Sequence, residues 1–173
     1  MSPLDSMQTK PGTTFEHLHP KLSLVFWIAF VLGLGSSMAL FFGPDAWFQT
    51  LAKPTWNPPS WLFGPVWTVL YILLGISAWM IRRNTSASPA DRSYAMLLFC
   101  LQLALNLSWT PIFFGLHQPA LAFVEICILW LAALSTALAF GKISSTAGYL
   151  LIPYLMWISF ALLLNGTIWL LNN

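Results

Sequence analysis

Three short runs of this 173-residue chain set aromatic rings and neutral amides at helical spacing. Phe63, Trp67 and Tyr71 recur at every fourth position. Gln102, Asn106, Trp109, Thr110 and Phe113 form a second run, and Tyr154, Trp157, Ala161 and Asn165 a third. Residues three or four apart share one face of a helix, so each run is a stripe. Aromatic faces hold a flat apolar ring by stacking, and a few amides orient it by hydrogen bonding. That is the chemistry of non-covalent capture. Two readings stay open for the stripes: hydrogen bonds that tie helices to one another, or the lining of a ligand cavity.

The other chemical residues narrow the field. Glu125 is the one acid inside a long apolar run, and an intramembrane carboxylate is a functional candidate by default. It reads as a structural anchor near the membrane surface, with a protonated form or contact to a ligand as alternatives. A proton relay would need further titratable groups in the apolar runs, and none is there. His17 and His19 lie in the first twenty residues and His117 in a short connection, so a haem in the bundle would lack its usual axial ligand. No His/Cys/Asp/Glu grouping has metal-ligand spacing, so no metal is expected. Cys100 and Cys127 sit in apolar runs and read as small hydrophobes. No Ser-His-Asp set and no glycine-rich phosphate loop supports hydrolysis or phosphoryl transfer.

The elements that position the stripes follow from composition. Hydrophobic residues make up 58% of the chain and charged residues 7%, against about 25% charged in soluble domains. The net charge of +2 gives no reason to expect nucleic acid. Charge-free or nearly charge-free runs predict five spanning helices near 22–43, 61–81, 93–115, 119–141 and 147–170, since a span takes about 20 apolar residues. The runs are continuous, which favours helices over the alternating strands of a barrel. The fold class is thus all-α, an integral membrane bundle of five transmembrane helices, with a polar tail at 1–21 and the membrane domain at 22–173. The tail lacks the early apolar core of a secretory signal. Lys10, Lys21, Arg82, Arg83, Arg92 and Lys142 fall on one side and Lys53 on the other. In a cytoplasmic-type membrane this places the N-terminus in the cytoplasm.

The longest connection, 44–60, carries Pro44, Pro54, Pro58 and Pro59. Proline stiffens the chain, and the segment reads as a semi-rigid flap with a short helix at Ala46–Ala52. Trp67, Trp109 and Glu125 each lie about six residues inside a span from the flap side, roughly 9 Å deep. Asn165 falls near that level and Trp157 deeper, so the stripes are expected to converge beneath the flap. Trp56 and Trp61, among the prolines, are assigned to the flap and the membrane surface. Ala29, Gly33 and Ser37 form a small-residue ridge that permits close helix contact, either inside the bundle or at a dimer seam.

Several segments resemble the TspO/MBR family, the tryptophan-rich sensory proteins related to the mitochondrial translocator protein or peripheral benzodiazepine receptor. They are Trp47-Phe48-Gln49-Thr50-Leu51-Ala52-Lys53-Pro54-Thr55-Trp56-Asn57-Pro58-Pro59, Pro65-Val66-Trp67-Thr68-Val69-Leu70-Tyr71, the run from Gln102 to Trp109, Phe113-Phe114-Gly115, and the run from Pro153 to Asn165. The resemblance implies a five-helix membrane bundle, often a homodimer, whose pocket under the first loop takes porphyrins and synthetic isoquinoline or benzodiazepine ligands. The pocket positions it implies are Trp47, Phe48, Pro58, Phe63, Trp67, Tyr71, Asn106, Trp109, Thr110, Trp157, Ala161 and Asn165. It also implies a possible enzyme activity, light-driven porphyrin degradation, with Trp67 and Trp157 as the catalytic residues. The cholesterol motif of animal members needs a basic residue soon after the C-terminal tyrosine. No basic residue follows Tyr154, so sterol transport is not expected. Arg92-Ser93-Tyr94-Ala95-Met96-Leu97 has the reversed order, a weak pattern.

The expected function is therefore that of a receptor-like membrane protein. It would bind a tetrapyrrole of the protoporphyrin IX type, with no required cofactor, for sensing, sequestration or transport. Lys53 is placed either to meet a ring carboxylate or to anchor the flap at the surface. Photo-oxidation of the bound ring is the enzymatic alternative.

Overall fold

A computed structural model describes residues 19–173, and the tail residues Lys10, Glu16 and His17 lie outside them. Helix α1 spans Pro20–Phe41, α2 is the short Ala46–Thr50, and a 3-10 turn at Ser60–Leu62 leads into α3, Phe63–Arg83. Helix α4 is Pro89–Thr110 and runs into a π turn at Pro111–Gly115. Helix α5 is Pro119–Ile143, α6 the short Ser145–Tyr149, and α7 Ile152–Leu171. Five helical segments among the described residues are long and apolar enough to cross a membrane: 20–41, 60–83, 89–115, 119–143 and 145–171. The expected spans agree to within a few residues.

Local chemistry explains the boundaries. Proline opens α1, α4 and α5 at the first turn, where its missing N–H would be unbonded in any helix. The Ser88 hydroxyl caps α4 by accepting from the Asp91 amide at 3.0 Å. The Asp45 carboxylate caps α2 by accepting from the Phe48 amide, also at 3.0 Å. Inside the spans the backbone bonds to itself, as a bilayer requires. At Pro111 the ladder widens: the Leu116 amide donates to the Pro111 carbonyl at 2.8 Å, the i→i+5 pattern of a π turn. This turn carries Phe113 to a fully enclosed position.

Helix α5 packs along α4 and α7, while α1 packs along α3 and touches α4. The α1–α3 contact is closest far from the flap. A Cβ on Gly75 would lie 2.8 Å from the Ile28 backbone, so only glycine lets these helices approach so nearly. Near the same end the Trp79 indole donates to the Ser23 hydroxyl at 2.9 Å. The ridge at Ala29, Gly33 and Ser37 does not make this contact. Ala29 and Gly33 are exposed, and a Cβ on Gly33 would meet nothing within 4 Å. Packing within the bundle is therefore excluded as the role of Gly33, and Gly75 and Gly35 take that role instead.

The basic residues Arg82, Arg83, Arg92 and Lys142 lie in the end turns of α3, α4 and α5 at one end of the bundle, together with Lys21 at the start of α1. Lys53 stands at the other, in the flap.

Candidate functional site: an aromatic cavity beneath the flap

The three stripes meet in one cavity of about 510 Å³. Helix α3 brings Phe63, Trp67 and Tyr71; α4 brings Asn106, Trp109 and Thr110; α7 brings Trp157, Ala161 and Asn165; and the flap brings Phe48. A pocket of roughly 300–1,000 Å³ suits a drug-sized or ring-shaped ligand. Among the expected ligand residues only Trp47 and Pro58 do not line the cavity. The Trp47 ring instead stacks on His117, centroids 4.2 Å apart and 18° from parallel, and meets Phe113 edge-on. Pro58 remains in the flap, where its carbonyl accepts from the Asn57 side chain at 3.1 Å.

The cavity walls are held by a few hydrogen bonds and many ring contacts. The Tyr71 hydroxyl donates to Asn106 Oδ1 at 3.0 Å. The Trp109 indole N–H donates to Asn165 Oδ1 at 3.1 Å, and Asn165 Nδ2 donates to the Pro119 carbonyl at 2.9 Å. One amide thus joins α4, α7 and the start of α5. The same amides thus tie helices together and face the cavity. Trp67 stacks on Tyr71 with centroids 5.2 Å apart and meets Tyr154 edge-on at 6.4 Å. Phe63 meets Trp157 edge-on at 5.7 Å. The buried Trp157 indole nitrogen has no hydrogen-bond partner among the described residues.

Below this level, Gln102 is fully enclosed, and neither its two amide atoms nor the enclosed Tyr154 hydroxyl has a hydrogen-bond partner among the described residues. Neither lines the cavity, although both belong to the stripes. Glu125 is buried between α4 and α5, accepting from the Ser108 hydroxyl at 3.2 Å through one oxygen. Its place is in a helix contact away from the cavity lining, and its second oxygen is buried with no hydrogen-bond partner among the described residues. Among the described residues no three His, Cys, Asp or Glu side chains gather as metal ligands.

The flap is fastened at its start and near its middle. At Asp45 the carboxylate meets His117 Nε2 at 3.0 Å. The amide N–H of Phe48 holds this carboxyl below the ordinary carboxylate range, and His117 adds to the effect against a little desolvation. Further along, Asn172 clasps the Ala52 backbone: the Ala52 amide donates to its Oδ1 and its Nδ2 donates to the Ala52 carbonyl, each at 2.9 Å. Lys53 lies 4.5 Å over the Phe48 ring and donates to the Leu51 carbonyl at 3.1 Å. Trp56 meets Phe160 edge-on at 5.8 Å, while Trp61 is 71% exposed.

Sequence reasoning missed the contribution of α1, which adds Gly35, Ser36, Ala39 and Leu40 to the lining. It also missed Ile126 and Leu129 of α5 and Leu164 and Ile168 of α7. These are small or aliphatic residues in apolar spans, where nothing in residue type separates a cavity wall from a lipid face.

A multi-pass membrane bundle of five spans, folded around an aromatic cavity under a proline-rich flap, defines the class. The chain belongs to the TspO/MBR family, whose profile matches residues 24–170. It is 42% identical over 153 residues to the tryptophan-rich protein TspO of Chlorobaculum tepidum, covering 87% of this chain and 96% of the relative. It is 39% identical over 122 residues to the tryptophan-rich sensory protein of Cereibacter sphaeroides, covering 70% and 74%. It is 37% identical over 127 residues to the human translocator protein, covering 73% and 75%.

Proposed function

We propose that this membrane protein binds a porphyrin or related tetrapyrrole in the cavity, for sensing, sequestration or transport. Flat synthetic isoquinoline or benzodiazepine ligands would occupy the same place. The observation that carries this is the convergence of Trp67, Trp109 and Trp157, with Asn106 and Asn165, on one cavity of about 510 Å³. Stacking on rings is worth about 0.5–1.5 kcal/mol per pair beyond area burial, and the two amides supply orientation. The names of the relatives point to sensing and to translocation, and the cavity serves either. Titration of protoporphyrin IX against the purified protein tests the proposal: its fluorescence should be quenched, and Trp67→Ala and Trp157→Ala should weaken the effect. With it go a homodimer, tested by cross-linking in native membranes, and an N-terminus on the cytoplasmic side of a cytoplasmic-type membrane, tested by tag accessibility.

Photo-oxidation is the second reading. Trp67 touches both Tyr71 and Tyr154, so the bound ring would lie against oxidisable side chains. Dissolved dioxygen would be the oxidant: the photoexcited ring passes one electron to it, and the superoxide formed recombines with the ring cation, so that both oxygen atoms end on the ring as one of its carbon–carbon bonds is cleaved. Illumination of the porphyrin-loaded protein should yield a new pigment that Trp67→Phe abolishes. Bleaching no faster than in empty detergent removes this reading.

A further inference from the structure

The cavity is not closed on every side. Its lining includes Ser36, Ala39 and Leu40 of α1 and Gly64 and Thr68 of α3, and all of these are exposed at the surface of the bundle. A residue that both lines the cavity and faces outward marks its mouth. The buried residues of α1 are Ser23, Val31 and Gly35; beyond Gly35 only Ser37 and Met38 are even partly covered. In α3 burial begins only at Leu70. The two helices are locked where Gly75 meets Ile28 and stay in contact as far as Gly35, over which the Tyr71 ring lies: a Cβ there would stand 2.1 Å from it. Past that point α1 leans toward the π turn, where Phe42 covers Gly115, 2.9 Å from where a Cβ would be. Its flap-side end is thus fastened to the α4 side, which leaves the gap on the α3 side.

This gap lies within the spans and faces lipid. Leu40 at its edge is 85% exposed, and the Thr68 hydroxyl is satisfied inside its own helix by the Gly64 carbonyl. The mouth therefore presents hydrocarbon and small side chains to the bilayer. Above, the flap is held by Asn172 and by the Asp45–His117 pair. Of the flap residues that line the cavity, Pro44 and Ser60 are exposed and Gly43 and Phe48 are partly covered.

We propose that the cavity opens sideways into the flap-side leaflet between α1 and α3, and that its ligand is a planar molecule already dissolved in the bilayer, which enters edge-on through this gap. The ligand class rests on the cavity being a binding site, as proposed above; the opening itself does not. The test needs no porphyrin. In a Cys100→Ser, Cys127→Ala background, Ala161→Cys places a thiol in the cavity wall. Protein in phosphatidylcholine vesicles is treated with pyrene maleimide, which partitions into the bilayer, or with a sulfonated maleimide confined to water. The lipid-dissolved reagent should label at least tenfold faster than the aqueous one. Filling the mouth with Ala39→Trp, or with Gly64→Leu, where a Cβ meets nothing within 4 Å, should slow it by a similar factor. Equal labelling by the two reagents, or labelling unaffected by both fillers, overturns the lateral mouth. Loss of porphyrin quenching is a separate measurement and bears only on the ligand.

Discussion

The hydroxyl of Tyr71 donates to the side-chain oxygen of Asn106 at 3.0 Å, joining α3 to α4 at the cavity wall while the Tyr71 ring stacks on Trp67. One side chain thus supports the bundle and shapes the site. Tyr71→Phe keeps the ring and removes the donor. Hydrogen bonds between membrane helices are worth about 0.6 kcal/mol on average and up to about 1.7. A loss of about that size is expected in unfolding measurements in mixed micelles.

Asn165 is bonded on both sides, accepting from Trp109 and donating to the Pro119 carbonyl. Asn165→Leu preserves bulk and leaves two polar groups unmatched. Its cost should exceed that of Tyr71→Phe, at about 1–3 kcal/mol, and the Trp109 indole proton should shift in the NMR spectrum.

At the opposite end, Gly75 sets the approach of α1 to α3. A Cβ there meets backbone 2.8 Å away, which cannot rotate aside. Gly75→Ala should destabilise by about 1–3 kcal/mol, the usual range for overpacking. Gly33→Ala, with open space around it, should leave the unfolding midpoint unchanged.

The flap carries a pH response. The Asp45 carboxyl is held below the ordinary carboxylate range, first by the Phe48 amide and then by His117. Because its value is depressed in the folded protein, its contribution is complete above the ordinary carboxylate range. It is lost as pH falls through the lowered value. Hydrogen exchange at Phe48 should therefore accelerate, relative to the spans, only at strongly acidic pH. Asp45→Ala should exchange quickly at every pH.

Much of this was legible because charge is so scarce. The gaps between Lys21, Asp45, Lys53, Arg82, Arg92 and Lys142 mark the spans, and amides in apolar helices must turn inward. That logic led to Asn106, Trp109 and Asn165 in the cavity. It could not see α1, because Gly35, Ala39 and Leu40 differ in no way from residues facing lipid. Trp47 carries the same aromatic signal as Phe48, yet its ring lies against His117, since a five-residue helix turns adjacent side chains apart. Periodicity showed that Ala29, Gly33 and Ser37 share a face, but not which way the face points. The Asp45–His117 pair joins residues 72 apart in sequence, beyond any local pattern.

The central claim is that the three aromatic stripes form one tetrapyrrole site. Its most direct test is fluorescence titration of protoporphyrin IX against the wild-type protein, Trp67→Ala and Trp157→Ala in the same detergent. Saturable quenching is expected for the wild type, with affinity lowered at least tenfold in each variant while helical content is retained. Unchanged affinity in both variants would contradict the claim.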